Sequence, residues 1–368
     1  MERIYLDHAA TTPVAPEVVS AMLPWFEDFG NPSSLYFEGR RARQAIDQAR
    51  EVLASRLGCL FGEVHFTSSG TESCNLALIG CARAALANGS GRRRILVPAS
   101  EHHAILHTAP FLAALGFRLE VVPVDQFGRV QLKALAEALG DDVLLVSVMT
   151  ANNELGSLSP VVEASRLARR VGALMHTDAV QSFGLDQRTV DELECDLLTA
   201  SAHKLYGPKG VGLLYVRSGA PVLPVMTGGG QERELRAGTE NVAGIVGFGG
   251  AVSHCVPGTA SARNSFLKNL SSKAQPTVPR EIPSLSSHAH VRFPDIHADT
   301  LLIKLDRLGI SANSGAACSS GSIEPSHVLL ACGYSSSEAA ECIRFSFGRG
   351  QDDRLGARAA ELVNEAIS

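Results

Sequence analysis

Four short segments of this 368-residue sequence carry side chains that could do chemistry. The first is Ser201-Ala-His-Lys204-Leu-Tyr-Gly-Pro-Lys-Gly210, a lysine directly after an apolar strand-like run, where its amine would be screened from water. A free lysine has a pKa of about 10.4, so burial or linkage to an aldehyde would have to hold such an amine neutral, and a neutral amine is what imine formation needs. The competing reading of this segment alone is a surface lysine beside a Gly-Pro turn. The second is His176-Thr-Asp178-Ala-Val-Gln181, an aspartate at a strand end. It could pair with a protonated pyridine nitrogen and keep a cofactor ring an effective electron sink, or simply cap a helix.

Phe66-Thr-Ser-Ser-Gly70-Thr71-Glu-Ser-Cys-Asn75 is the third, a strand that breaks into hydroxyl and glycine residues before a helix. Free backbone N–H groups at a helix start bind anions. One helix end contributes only about 0.3–2 kcal/mol, so a dianionic phosphate there needs further donors, for which Ser201, His203 and Thr239 are candidates. The fourth is Ser311-Ala-Asn-Ser-Gly-Ala-Ala-Cys318-Ser-Ser-Gly-Ser322, a cysteine among small residues, suited to an exposed thiol that collects and delivers a cargo. With a pKa of about 8.5 such a thiol is only about 3% ionised at pH 7, so neighbouring groups must favour the thiolate. Arg344, inside the apolar run 343–348, needs a carboxylate partner, either a bound substrate or an internal acid.

The elements that would position these groups alternate between helical and strand patterns from about residue 39 to 250, as a wound α/β sheet requires. Ala42, Ile46, Ala49, Leu53 and Leu57 define one face of a helix over 40–57 with Gly58 beyond its end. Strands are expected at 94–98, 118–124, 143–148, 173–177 and 196–200, with a helix from His103 to about Gly116 and another over 132–139. Ser159-Pro160 has the form of an N-cap with proline at the first helical position, for a helix stopping at Gly172. The polar motifs recur just after strands, at the carboxyl edge where open α/β sheets bind ligands. Between 256 and 283 the composition turns to Ser, Pro, Asn and Lys, which reads as a domain junction with a loosely specified helix. A strand over 290–293, a helix over 299–308, a strand around 343–347 and a final helix follow.

Bulk properties agree with an ordinary globular enzyme. The hydrophobic share is 45%, the charged share 19%, and the net charge of -5 comes from interspersed signs without a basic block, so neither nucleic acid nor a membrane surface is an expected partner. The start Met1-Glu-Arg-Ile-Tyr-Leu-Asp-His8 lacks a basic and apolar leader, and the cytoplasm is the expected location. Eight cysteines without a C-x-x-C pair argue against a disulfide framework or a zinc knuckle. The histidine groups 102/103/107 and 288/290/297 have no recognised structural-zinc spacing, so no metal site is expected.

Taken in order, the segments resemble the NifS/IscS-type cysteine desulfurases of the class V aminotransferase family. The resemblance runs through Tyr5-Leu-Asp-His-Ala-Ala-Thr-Thr12, Gly30-Asn-Pro-Ser-Ser34, Thr71-Glu-Ser73, Glu101-His-His-Ala104, Asn152-Asn-Glu-Leu-Gly156, 176–181, 201–210, Gly228-Gly-Gly-Gln-Glu-Arg233, Arg236-Ala-Gly-Thr-Glu-Asn241, Ser314-Gly-Ala-Ala-Cys318 and Ile343-Arg-Phe-Ser346. It implies a pyridoxal 5'-phosphate-dependent transferase of fold type I, with a large domain (14–255) holding a mixed, mainly parallel seven-stranded sheet. A smaller α+β domain (1–13 and 256–368) would carry the cysteine loop. It implies a homodimer with Thr239 reaching the phosphate of the opposite protomer. Lys204 would hold the cofactor as a Schiff base, His102 stack on its ring, Asp178 pair with the ring nitrogen and Gln181 contact the ring oxygen. Gly70, Thr71, Ser201 and His203 would hold the phosphate, Asn153 and Arg344 the substrate carboxylate. Cys318 would be the nucleophile that takes sulfur from L-cysteine as a persulfide and passes it to an acceptor protein, leaving L-alanine.

Some positions depart from the family pattern. Ala312-Asn313 replaces the Val-Ser common before the cysteine loop, Cys74 stands where an aspartate is usual, and 256–295 is shortened. The Ser-Gly-Ala-Ala-Cys-Ser-Ser loop is similar to that of the longer-loop group, whereas the end at Ser368 lacks the tail by which many relatives engage an iron-sulfur scaffold. An aminotransferase would share Lys204, Asp178 and the phosphate site but would not need Cys318. A selenocysteine lyase is chemically adjacent, and a cofactor-free scaffold would not need the lysine, aspartate and cysteine together.

Overall fold

The computed structural model describes residues 3–255, 260–315 and 325–368. Twelve strands are described in chain order: β1 (Ile4–Tyr5), β2 (Val64–Thr67), β3 (Arg94–Pro98), β4 (Arg118–Val122), β5 (Val143–Ser147), β6 (Leu174–Asp178), β7 (Leu197–Ser201), β8 (Gly212–Val216), β9 (Gln275–Pro276), β10 (His288–Arg292), β11 (Ile310–Ser311) and β12 (Cys342–Ser346). A seven-stranded sheet has the order β2-β8-β7-β6-β5-β3-β4. Only β8 runs against its neighbours β2 and β7, so the sheet is mixed and mainly parallel, the class expected from the alternating helix and strand signals.

Successive residues of a strand face opposite sides, and the sheet is apolar on both. Val146, Leu198 and Leu213 pack with Ile46 and Leu53 of the helix Phe37–Leu57 and with Phe248 of the helix Val242–Ser253. Their sequence neighbours Leu145, Leu197 and Leu214 pack on the other face with Leu78 and Ala82 of the helix Gly70–Ala87. A separate apolar core gathers Leu6, Phe266, Val291, Leu301, Phe345 and Val363, so the N-terminal strand packs with the C-terminal part of the chain. There β10 pairs antiparallel with β12 and β9, and β1 pairs parallel with β11.

Several local expectations need correction. Ser159 does not cap the helix Val161–Arg170: its N–H is taken by the Thr150 carbonyl at 3.0 Å, Pro160 occupies the cap position, and no side chain caps it. The stretch after His103 is two short helices, His103–Leu106 and Ala109–Ala114. Pro110 cannot donate into a continuous ladder, and the Thr108 hydroxyl turns back to the Ile105 carbonyl at 2.6 Å. Most consequentially, residues 260–283 are not a loose junction. The helix Ser261–Asn269 buries Phe266 completely, its ring 4.8 Å from that of Phe345, and lies so close to the helix Asp353–Ala366 that a Cβ at Gly356 would come 2.1 Å from the Ala262 carbonyl. The polar composition belongs to its outer face. Among the described residues no helix is long and apolar enough to cross a membrane.

Candidate active site

Because β2, β3, β5, β6 and β7 run the same way, their carboxyl ends meet along one edge of the sheet. The turns that leave those ends enclose a cavity of about 230 Å³ lined by Gly70, Thr71, His102, Asn153, Asp178, Gln181, Ser201, His203 and Lys204. Nine residues singled out from sequence thus come together from positions up to 134 apart, 70 to 204. Thr239 and Arg344 do not line it. Cys318 lies outside the described residues.

Asp178 ends β6 with its carboxylate buried, accepting the Val180 N–H at 2.9 Å and the Cys74 thiol at 3.6 Å. The aspartate is therefore no helix cap. Burial pushes its pKa up, against the opposing pull of the Val180 N–H, His102 and Lys204. Glu101 is equally enclosed: one oxygen accepts the Met149 N–H, the other has no partner among the described residues, and burial next to the Asp178 charge raises its pKa well above the carboxylate range. A buried carboxylate at a cavity wall, with its pKa raised by burial, is the environment that a protonated ring nitrogen would complete. His102 is held neutral by desolvation, against the pull of Asp178, and its Nδ1 accepts the Ala104 N–H at 3.1 Å, so its proton sits on Nε2.

Also lining the cavity, Ser69 caps the helix Gly70–Ala87 by accepting the Glu72 N–H. Its first residue is packed so tightly that a Cβ at Gly70 would come 2.7 Å from Val180 Cγ2. Only glycine lets the backbone approach an anion here. The donor set, a helix start with Thr71, Ser201 and His203 in the same cavity as a buried carboxylate, fits a cofactor with a phosphate at one end and a basic ring nitrogen at the other.

Lys204 follows β7 through one short helical turn, and its Nζ donates to the carbonyls of Ala9 and Ala10, at 2.5 and 2.8 Å. Gln181 Nε2 reaches the same Ala9 carbonyl at 3.1 Å, and Thr12 Oγ1 donates to the His203 carbonyl at 2.9 Å. The segment Ala9–Thr12 therefore covers the lysine. Nothing in its small residues announced that contact.

Arg344 meets an internal acid. Its Nη2 donates to Asp7 Oδ1 at 2.8 Å and its Nη1 to the Asn153 carbonyl at 2.7 Å, while the buried Nε has no partner among the described residues. Of the two partners open from sequence, the internal salt bridge is the one present among the described residues. Sequence reasoning missed Asp7; the signal was an acid next to the apolar Leu6. It also passed over Glu154, which is buried and accepts the Ser326 hydroxyl at 2.6 Å, with burial pushing its pKa to about 7. A Cβ at Gly315 would stand 3.2 Å from the Glu154 side chain, so Glu154 touches both described ends of the 316–324 segment.

His103 stacks between His107 and His327, with ring centroids 4.3 and 4.4 Å away, and His327 Nε2 lies 2.9 Å from the Glu101 carbonyl. Among the described residues no three His, Cys, Asp or Glu side chains gather as a metal site. The seven described cysteines are all free.

Residues 4–353 match the family described as Aminotransferase class-V. The chain is 41% identical over 375 residues to "Cysteine desulfurase IscS" of Methanosarcina thermophila, covering 99% of this chain and 92% of that protein. The solved structure titled "NIFS-LIKE PROTEIN" superposes with a TM-score of 0.90 at 35% identity, covering 99% of both chains. Another, "SspA in complex with cysteine", superposes at 0.84 with 35% identity, covering 93% of this chain and 98% of that one.

Proposed function

Because the chain belongs to the aminotransferase class-V family, and within it to the NifS/IscS-type cysteine desulfurases, we propose that it desulfurates L-cysteine with pyridoxal 5'-phosphate held in the cavity beneath Asp178. The observation that carries the cofactor reading is the buried Asp178 carboxylate, without an ion pair among the described residues, lining one cavity together with the start of a helix and Lys204. When bound, the cofactor supplies an electron sink for the pair released at the substrate Cα.

The chain's own residues do the rest. Gly70, Thr71, Ser201 and His203 bind the phosphate, assisted by Thr239 of a second copy; Asp178 holds the ring nitrogen protonated, Gln181 orients the ring oxygen, and His102 covers the ring face. Lys204 would anchor the cofactor, and its free amine would move the proton at Cα, a role worth about 10²–10⁴ in rate. Asn153 and Arg344 would receive the substrate carboxylate, Arg344 by exchanging its present partners for it. Cys318 attacks the substrate sulfur as thiolate: an S–S bond forms, the Cβ–S bond breaks, and the carbon keeps the electron pair and is protonated on its way to L-alanine. Sulfur remains on Cys318 as a persulfide for transfer to an acceptor protein of unknown identity. We further assign 14–255 to a cofactor-binding domain, 1–13 with 256–368 to a smaller one, and the protein to the cytoplasm as a homodimer.

Purified protein incubated with pyridoxal phosphate should convert cysteine to alanine, and a separate portion treated with borohydride should lose that activity and carry a phosphopyridoxyl group on Lys204, found by peptide mass. Label at any other lysine, or none, would sink the assignment.

A further inference from the structure

Three consecutive residues that each carry a Cβ, Glu232, Arg233 and Glu234, adopt left-handed backbone angles, with φ of 46°, 56° and 67°. Each is unfavourable for an L-residue, and three in a row persist only where the surroundings over-determine them. What holds them is buried. Glu232 is 4% exposed and its Oε1 pairs with Arg50 Nη2 at 2.6 Å, while its Oε2 accepts the Phe66 N–H of β2 at 2.9 Å. The Arg50 guanidinium lies over both the Phe61 and Phe66 rings, 5.3 and 5.1 Å from their centroids. The pair is enclosed and held by several contacts, although the buried Arg50 Nε has no partner among the described residues, and it ties the turn to β2 and to the helix Phe37–Leu57.

The turn leads to Thr239. Gly238 N–H donates to Gln231 Oε1 at 3.1 Å, closing the loop, and Arg236 pairs with Glu72 at 2.8 Å beside the start of the helix Gly70–Ala87. Thr239 is exposed and does not line its own chain's cavity. The next residue, Glu240, is bridged by Arg43 to the Pro32 carbonyl, at 2.9 and 3.3 Å. That bridge sets Thr239 close to the loop bearing Phe29, Leu35 and Phe37, which are 86, 87 and 65% exposed. Large apolar side chains so exposed mark a face that another protein surface covers.

We propose that the Arg50–Glu232 pair is a positioning device acting in trans: it holds the strained 232–234 turn so that Thr239 is presented to the phosphate site of a second copy of this chain. The proposal rests on the cofactor reading above and assigns to it two residues, on the helix Phe37–Leu57 and in the 231–234 turn, that touch neither cofactor nor substrate.

Mixed dimers separate this role from a merely structural one. In the first, a Glu232→Gln subunit is paired with a Lys204→Ala subunit; its only lysine-bearing site receives Thr239 from an intact turn. In the second, a wild-type subunit is paired with one carrying both changes, so the lysine-bearing site receives Thr239 from the altered turn. Glu232→Gln leaves Arg50 paired with Asp47 at 2.8 Å, so the altered subunit should still fold. Pyridoxal phosphate should dissociate about tenfold faster from the second dimer than from the first, as removal of a coupling contact predicts. Arg50→Lys, which keeps charge but loses the planar fork, should give the same pattern more weakly. Faster release from the first dimer, equal release from both, or failure of the subunits to pair would overturn the proposal. Wild-type protein that binds no pyridoxal phosphate would instead overturn the cofactor reading beneath it.

Discussion

The cavity beneath Asp178 and the junction around Arg344 share Asn153 but are built differently. The cavity is the product of one sheet: parallel strand ends bring the turns after β2, β3, β5, β6 and β7 to a single edge, and Asp178 lies there without an ion pair among the described residues. The junction is assembled from across the chain. Asp7 and Arg344, 337 positions apart, pair at 2.8 Å, Asn153 lends its carbonyl, and Asn313 Nδ2 reaches Asp7 at 3.4 Å. One region therefore buries a carboxylate that a protonated cofactor nitrogen would pair with, whereas the other already pairs its arginine with an internal acid and, on the proposed function, would share it with an arriving carboxylate. Groups prepared for permanent occupancy can be left unpaired in a closed site; groups that meet a transient substrate are better kept paired between visits.

The sharpest way to break this contrast is at Lys204. Lys204→Ala should lower alanine formation by about 10²–10⁴ or more, yet leave the cavity able to retain pyridoxal phosphate without a covalent link, measured as cofactor surviving gel filtration. Loss of the cofactor together with turnover would mean that the cavity is less complete than its geometry indicates. At the junction, Arg344→Lys keeps the charge opposite Asp7 but removes the fork, and KM for cysteine should rise about 10- to 100-fold with kcat changed much less. An unchanged KM would reduce Arg344 to a structural partner of Asp7.

A smaller effect is expected in stability. Burial raises the pKa of Glu154 from its ordinary 4.5 to about 7, so the folded state binds this proton more tightly than the unfolded chain. The resulting stabilisation is complete below about pH 4.5 and is lost as pH rises through about 7. Glu154→Gln removes that dependence, and its urea-unfolding free energy relative to the parent should improve by about 2–3 kcal/mol from pH 4.5 to pH 8. A difference that stays flat with pH would show that Glu154 is already ionised in the fold.

The contrast also explains which parts were legible in the sequence. Lys204, Asp178 and the Ser69-Gly70-Thr71 turn sit beside strong strand and helix signals, so their neighbourhood could be read from periodicity and their common edge from the parallel topology. The Asp7–Arg344 pair could not, because no local pattern links positions 337 apart, and the arginine's need for an acid did not say which one. Glu154 was hidden inside an Asn-Asn-Glu turn that looks solvated, and Phe266 inside a Ser/Asn/Lys helix whose single buried ring gives no period. Cys74 was legible only as a departure from a family pattern; that its thiol points at Asp178 is a fact of packing.

The central claim is that sulfur leaves cysteine onto Cys318, and one variant tests it most directly. Cys318→Ala should retain pyridoxal phosphate and the spectral response to added cysteine, while the persulfide seen by mass on the parent protein disappears and alanine and sulfide production are lost. Full turnover in Cys318→Ala, with alanine and sulfide formed at the parent rate, would contradict it.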